Sequence, residues 1–302
     1  MTTPRDIVHI AAAQYPLDQF TSLAACKDKL VRWVADATLD GAELLVFPEY
    51  GAMEYAAPGA AASADLQASL AVVSAAMSEM DGTHSALARQ YKVHILAASG
   101  PVRRADGAYV NRARLFAPSG HSGFQDKLIM TPFECAWGIT PGTELHVFDT
   151  ALGCIGIAIC YDSEFPLLVR ALAEAGAEII LIPSCTEFIS GHHRVRIAAL
   201  ARALENGCVT VQAPLVGLAP WSPAVDANCG AAGIFLPAER TLSETGILAE
   251  GTVNAPGWVH ATADLALLRQ IRTAGEMRNS LDWLLQPGAV PLDTSVRRCS
   301  LR

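Results

Sequence analysis

Gly153-Cys-Ile-Gly-Ile-Ala-Ile-Cys160-Tyr-Asp-Ser-Glu-Phe-Pro166 passes from an uncharged apolar run into a helix that opens on proline. Residues Ile155–Cys160 are apolar at odd and even positions alike, so both faces of the strand they predict must be covered. Pro166 suits the first turn of a helix over Pro166–Ala175, because its missing N–H is one a helix start leaves unpaired, and Gly176 follows the end. A buried strand feeding a covering helix is the repeating unit of an α/β fold.

The same rhythm runs outward in both directions. Upstream, strands are predicted at Val8–Ala13, Leu44–Phe47 and Val93–Ala98, with a strand pair Tyr109–Phe116 and Gly123–Leu128 around the turn Ala117-Pro-Ser-Gly-His. Helices are predicted over Leu23–Ala37, whose apolar residues recur on one face, and over Leu66–Tyr91, with a break near Asp81-Gly82. Downstream come strands Leu145–Asp149, Glu178–Pro183, Val209–Ala213, Ala232–Phe235 and Val259–Asp264, and helices Arg194–Glu205 and Leu265–Arg272. The tail after Gln286 reads as irregular. Late strands follow one another with few helices between them, which predicts a second sheet packing on the first.

Composition narrows the function. Of 302 residues, 51% are hydrophobic and 17% charged, enough apolar side chain for a large core and against disorder. The net charge of −8, without a Lys/Arg run, argues against nucleic acid as a partner. No apolar stretch reaches the ~18 residues that span a bilayer, and Ile7–Ala13, preceded by Asp6 and interrupted by His9, does not read as a signal peptide, so a cytoplasmic location is expected. Eight scattered cysteines without a C-x-x-C pair give no disulfide framework and no zinc ribbon. His192-His193 diverge as neighbours and lack a partner at metal spacing, so they read as a solvated loop and no metal is expected. Without G-x-S-x-G or G-x-G-x-x-G, a serine-hydrolase elbow and a dinucleotide site are disfavoured.

Reactive groups collect at strand ends, where α/β sheets carry function. Glu49 follows Leu44-Leu-Val-Phe-Pro, Lys127 follows Phe124-Gln-Asp, Glu134 follows Pro132-Phe, and Cys160 ends its strand. Taken singly, each has an ordinary explanation: a core thiol, a capping or solvated carboxylate, a surface ammonium. Together they offer a nucleophile, a base and a cation. A free thiol is about four pKa units too weak an acid for a free carboxylate; burial of the Glu, and a Lys and helix start beside the Cys, are expected to narrow that gap by lowering the thiol.

Three blocks carry a resemblance. Leu45-Val-Phe-Pro-Glu49-Tyr, Asp126-Lys127-Leu-Ile-Met-Thr-Pro-Phe-Glu134 and the opening Cys160 stretch, in that order, resemble the Glu, Lys and Cys blocks of the nitrilase superfamily of carbon–nitrogen hydrolases. Ile182-Pro-Ser184 and Arg202-Ala-Leu-Glu-Asn206 add to the match, which runs from Ala11-Ala-Ala-Gln14 to Val259–Asp264. The resemblance implies a four-layer α-β-β-α sandwich that pairs into a homodimer or higher homo-oligomer, no cofactor, and a small-molecule amide or nitrile as substrate. It implies that Cys160 attacks carbon, that Glu49 moves the proton, and that Lys127 and the N–H of Tyr161 hold the oxyanion. It also implies that Glu134 orients Lys127, with Glu144 as a competitor.

The Cys-Tyr-Asp form of the last block is similar to the amidase, ω-amidase and carbamoylase branches, so amide cleavage through a thioester is expected, with nitrile hydrolysis as the alternative and a non-catalytic scaffold as a third reading. Ser184-Cys-Thr-Glu187 and Ala219-Pro-Trp-Ser-Pro-Ala-Val-Asp226 depart toward a less characterised branch. Tyr50, Phe133, Trp137, Cys185, Thr186 and Glu187 are the expected pocket residues, and Arg202 and Glu205 are expected to serve helix packing. The hydrolase domain is expected over 1–285. The tail 286–302, with the apolar segment Ala231–Phe235, is a candidate contact between copies.

Overall fold

The computed structural model describes residues 5–302, so the first four residues of the expected domain lie outside the described ones. In chain order the strands are β1 (Ile7–Pro16), β2 (Leu44–Val46), β3 (His94–Leu96), β4 (Gly100–Arg103), β5 (Tyr109–Phe116), β6 (Ser122–Asp126), β7 (Leu145–Thr150) and β8 (Gly153–Ile157). They continue with β9 (Ile179–Ser184), β10 (Val209–Leu218), β11 (Ala227–Asn228), β12 (Gly233–Phe235), β13 (Ile247–Glu250), β14 (Gly257–Asp264) and β15 (Val296–Ser300). The helices are α1 (Leu23–Leu39), α2 (Ala60–Ser63), α3 (Leu66–Tyr91), α4 (Pro132–Trp137), α5 (Pro166–Glu174), α6 (Ile189–Asn206) and α7 (Leu265–Ala274).

Hydrogen bonding orders the strands β15-β7-β8-β9-β10-β1-β2-β3-β5-β4. The link between β10 and β1 is two residue pairs long, Tyr15 with Leu215 and Pro16 with Val216. The ladder therefore divides there into two sheets that touch at one corner. Strand alternation sorts the β1 side chains between the layers. Val8, Ile10 and Ala12 point inward and join Phe148, Ile155 and Ile179 of the facing sheet in one apolar core. Ala11 and Ala13 point outward and join Val34 of α1 and Val73 of α3 in a second core. Val169 of α5 and Val195 of α6 cover the other outer face. The layers are α1/α3, sheet, sheet, α5/α6: the expected α-β-β-α sandwich. At Gly156 an added Cβ would sit 3.2 Å from Leu172 Cδ1, so glycine lets α5 lie close on its sheet.

Four expectations change. Helix α3 runs unbroken through Asp81-Gly82; Gly82 faces open space, and the ~1 kcal/mol it costs a helix is offset by the buried Met77, Met80, His84 and Leu87 on the other face. Helix α6 begins at Ile189, so His192-His193 are helical and His192 is buried rather than in a solvated loop. The tail is not irregular throughout: β15 pairs in parallel with β7 as the edge strand of its own chain's sheet. Ala231–Phe235 is interior, with β12 paired to β10 and β13, and offers no surface to another copy.

Candidate functional site

The site is built from four chain segments delivered by strand ends. Past β2, Pro48 and Glu49 lead to Tyr50, whose backbone is left-handed at φ 55° and whose N–H donates to Ser99 Oγ at 3.0 Å. Past β6, the N–H of Lys127 donates to Asn111 O of β5 at 2.9 Å and its carbonyl accepts from Gly142 at 2.7 Å. Helix α4, missing from the sequence-based expectation, begins with a capping box: Thr131 N donates to Glu134 Oε2 at 2.9 Å while Glu134 N donates to Thr131 Oγ1 at 3.3 Å. Its signal was present, since T-x-x-E with proline at the first helical position marks a helix start.

Cys160 opens a 3₁₀ turn, Cys160–Glu164, between β8 and α5. It too is left-handed, at φ 49°. Of the four non-glycine residues with positive φ among the described residues, Lys92 caps α3 and Asn254 lies in a turn, while Tyr50 and Cys160 flank the candidate chemistry. Such conformations cost on the order of 1–3 kcal/mol and persist only where the surroundings fix them. Here four hydrogen bonds from three side chains fix the turn. Asp162 accepts from the N–H groups of Leu128 (3.1 Å) and Ile129 (2.8 Å), Ser163 Oγ donates to Cys160 O at 2.6 Å, and Arg202 Nη1 donates to Ser163 O at 3.2 Å. Arg202, also clamped by both carboxylate oxygens of Glu205 at 2.8 Å, thus braces the turn as well as its helix. Asp162 ties the cysteine turn directly to the segment after Lys127.

These segments bring the side chains together. Lys127 Nζ donates to Glu49 Oε1 and to Glu134 Oε2, each at 2.7 Å, and all three residues are buried. Tyr50 Oη donates to Glu134 Oε1 at 2.7 Å. Asn111 Nδ2 donates to Glu49 Oε1 at 3.0 Å and reaches Glu134 Oε1 at 3.5 Å. The sequence reading missed Asn111; its signal was an amide within a strand, a residue type strands disfavour.

Protonation follows from burial and neighbours. Burial raises the Glu49 carboxyl; Lys127 opposes this and Glu134 adds to it. For Glu134, burial is outweighed by Lys127 and the hydrogen bonds it accepts, and its carboxyl is held below the usual range. Burial penalises the Lys127 cation, but the two carboxylates win and keep it charged. Burial, then Glu49, push the Cys160 thiol well above an ordinary thiol. This reverses the expected lowering, because the turn is a single 3₁₀ coil and a buried carboxylate faces the sulfur. The resting site is a neutral thiol beside a weakened acid, over a firmly ionised Lys127–Glu134 pair.

The site opens into a cavity of about 200 Å³. Glu49, Lys127, Glu134 and Cys160 border it, as do the expected Tyr50, Phe133, Cys185 and Glu187. Two expected pocket residues do not. Trp137 is buried behind Tyr50, ring centroids 5.3 Å apart, with its Nε1 donating to Leu66 O at 2.7 Å. Thr186 turns away to donate to Cys229 O at 2.8 Å. The remaining wall, Pro223–Ala227, comes from the segment whose sequence departed from the family pattern. Glu144 lies outside the cavity, paired with Arg297 at 3.0 Å, so Glu134 has no competitor at Lys127. The Tyr161 ring packs edge-on against Phe165 at 4.9 Å. His192 faces Gln212 and the N–H of Ala231, each at 3.4 Å.

A cavity over a buried Glu-Lys-Cys constellation, in a four-layer sandwich, defines a class of protein, and comparison with known proteins agrees. A carbon-nitrogen hydrolase family model matches residues 9–243. The chain belongs to the carbon–nitrogen hydrolase family. It is 41% identical over 197 residues, 65% of this chain and 38% of the relative, to the probable hydrolase YhcX of Bacillus subtilis. It is 44% identical over 77 residues, 26% of this chain and 27% of the relative, to the deaminated glutathione amidase of Yersinia enterocolitica. A bifunctional nitrilase/nitrile hydratase of Lupinus angustifolius is 32% identical over 209 residues, 64% of this chain and 57% of the relative. The chain thus covers less than two thirds of the length of each of these curated relatives.

Among solved structures, a carbon-nitrogen hydrolase of Helicobacter pylori G27 superposes with a TM-score of 0.72 at 20% identity, covering 89% of this chain and 92% of that one. An amidase of Nesterenkonia AN1 gives 0.69 at 23%, covering 89% and 96%. At these identities the likeness is one of fold. No helix among the described residues is long and apolar enough to cross a membrane.

Proposed function

We propose that the protein hydrolyses a small-molecule amide to the acid and ammonia or an amine, with Cys160 as nucleophile. The observation that carries the reading is the bridge of Lys127 Nζ between Glu49 and Glu134, 2.7 Å to each, beside a thiol at the floor of an open cavity. The sulfur bonds to the amide carbon while its proton passes to Glu49, whose raised affinity for a proton suits a base facing a poor thiol acid. The oxygen, now anionic, is held by the Lys127 ammonium and the Tyr161 N–H, a contribution commonly of a few kcal/mol. Glu49 returns the proton to the nitrogen as the carbon–nitrogen bond breaks, leaving a thioester. Water enters, loses a proton to Glu49 and attacks the thioester carbon; the acid departs and the thiol regains its proton. Glu134, kept ionised, holds Lys127 in place throughout, and Tyr50 and Thr131 hold Glu134.

Amide is preferred to nitrile because Cys160-Tyr-Asp162 is similar to the amidase branches. Nitrile is the second reading, supported by the relative named nitrilase/nitrile hydratase. The test is to mix the protein with panels of small amides and nitriles, weigh the intact chain, and assay ammonia. An acyl mass on Cys160 with ammonia from amides supports the reading. Ammonia from nitriles alone replaces it with the second, and neither adduct nor ammonia from either panel overturns both.

A further inference from the structure

The charge around the cavity is one-sided. Lys127 is the only cationic side chain among the described residues that line it, and two carboxylates already engage it at 2.7 Å. At the mouth stand two more carboxylates: Glu187, just past β9, and Asp226, just before β11. Both are exposed, and neither has an ion-pair partner among the described residues. Asp226 is electrically part of the site, since its charge adds to the forces that push the Cys185 thiol up, behind burial, Glu49 and Glu134 and against Lys127. The lining inward of these carboxylates includes the buried Val225 and half-buried Ala224, and the apolar Phe133 and Pro223 stand exposed at the mouth.

A substrate lying from Cys160 to the mouth therefore meets apolar side chains and then negative charge. An amide bearing a carboxylate at its far end would find no free cation to receive it and would face Glu187 and Asp226, and like charges brought together oppose binding. An amide bearing an ammonium or guanidinium there would meet two carboxylates that have no other partner. We propose that the substrate is a small amide with a short aliphatic stem ending in a cation, received between Glu187 and Asp226. This inference rests on the amidase reading above and adds the substrate class.

Three probes with the same three-CH2 stem separate the possibilities: 4-aminobutanamide, pentanamide and 5-amino-5-oxopentanoate, which end in a cation, a methyl group and a carboxylate. Their kcat/KM values for ammonia release are expected to fall in that order, by roughly tenfold per step for partly exposed charges a few ångströms apart. Added salt should compress the series. In the Glu187→Gln, Asp226→Asn double variant the ratio of the cationic to the neutral probe should drop toward one. Equal values for the three probes, a carboxylate preference, or an unchanged ratio in the double variant would overturn the inference while leaving amide hydrolysis intact. Absence of ammonia from all three, with no acyl mass on Cys160, would overturn the amidase reading and this inference with it.

Discussion

The molecule holds two buried lysines bridged between carboxylates, and they serve different ends. Lys127 lies between Glu49 and Glu134, with Tyr50 donating to Glu134 at 2.7 Å. Lys29 lies between Glu54 at 2.6 Å and Asp18 at 2.8 Å, with Tyr15 donating to Glu54 at 2.9 Å. Even a cysteine is nearby, Cys26, whose sulfur faces Glu54 O at 3.7 Å. But Cys26 sits in a helix, sealed in the core, and burial and the Glu54 charge push its thiol up to about 12. Lys29 donates its third hydrogen bond to Pro16 O and stacks over the Tyr15 ring at 4.2 Å. Lys29 and Asp18 border a surface cleft, but Cys26 and Glu54 are buried outside its lining, so no thiol faces it; the cluster pins the turn Gly51–Ala56 to α1. A cation between two carboxylates is thus no catalytic signature by itself. A left-handed thiol and an opening make the difference.

The largest effect separating the two clusters is expected from the thiols. Cys160→Ala should cut turnover by at least about 10⁴-fold with the fold retained, measured as kcat beside a melting curve, whereas Cys26→Ala should leave kcat close to that of the parent. The lysines come next. Lys127→Met should lower kcat by about 10²–10³-fold through loss of oxyanion stabilisation. Lys29→Met should instead leave Glu54 buried and unpaired, costing about 3–5 kcal/mol of stability, read in denaturant unfolding, with kcat of the folded protein little changed. A Lys29→Met enzyme that is stable but inactive would erase the distinction between the clusters.

A smaller effect concerns pH. Since burial raises Glu49, and it must be ionised to accept the thiol proton, kcat/KM should fall on the acid side from a higher pH than an ordinary carboxylate near 4.3 would give. A Glu49→Gln variant should lack that limb along with most of its activity. An acid limb at the ordinary carboxylate position would show that Glu49 is not the titrating base. Smallest is the order in which the thiols label. With the Cys160 thiol raised, iodoacetamide at neutral pH should modify the exposed Cys135 first, and peptide mass spectrometry over time reads the order.

What the sequence disclosed was periodicity and motif. The double-faced apolar run before Cys160 fixes a covered strand, and alternation along β1 matches the two cores it separates. Strand ends pointed to Glu49, Lys127, Glu134 and Cys160, which the fold brings together. What stayed hidden depends on distant chain. Asn111 becomes informative only once β2, β3 and β5 lie side by side in the sheet and bring it to Glu49. The wall Pro223–Ala227 has no period to read. Val296-Arg-Arg-Cys-Ser300 is too polar to announce a strand, because as an edge it packs little of itself. The direction of the thiol shift was misjudged for a related reason: a carboxylate far away in sequence, and the depth of burial, outweigh the local turn.

The left-handed backbone at Cys160 has a further consequence. Glycine is the residue that adopts this conformation without penalty, so the proposed nucleophile stands where the polypeptide itself would favour having no side chain. Resistance to heat and turnover thus pull in opposite directions at one position. A selection for thermal tolerance alone, blind to catalysis, would be drawn to remove the very sulfur to which the proposed chemistry is assigned.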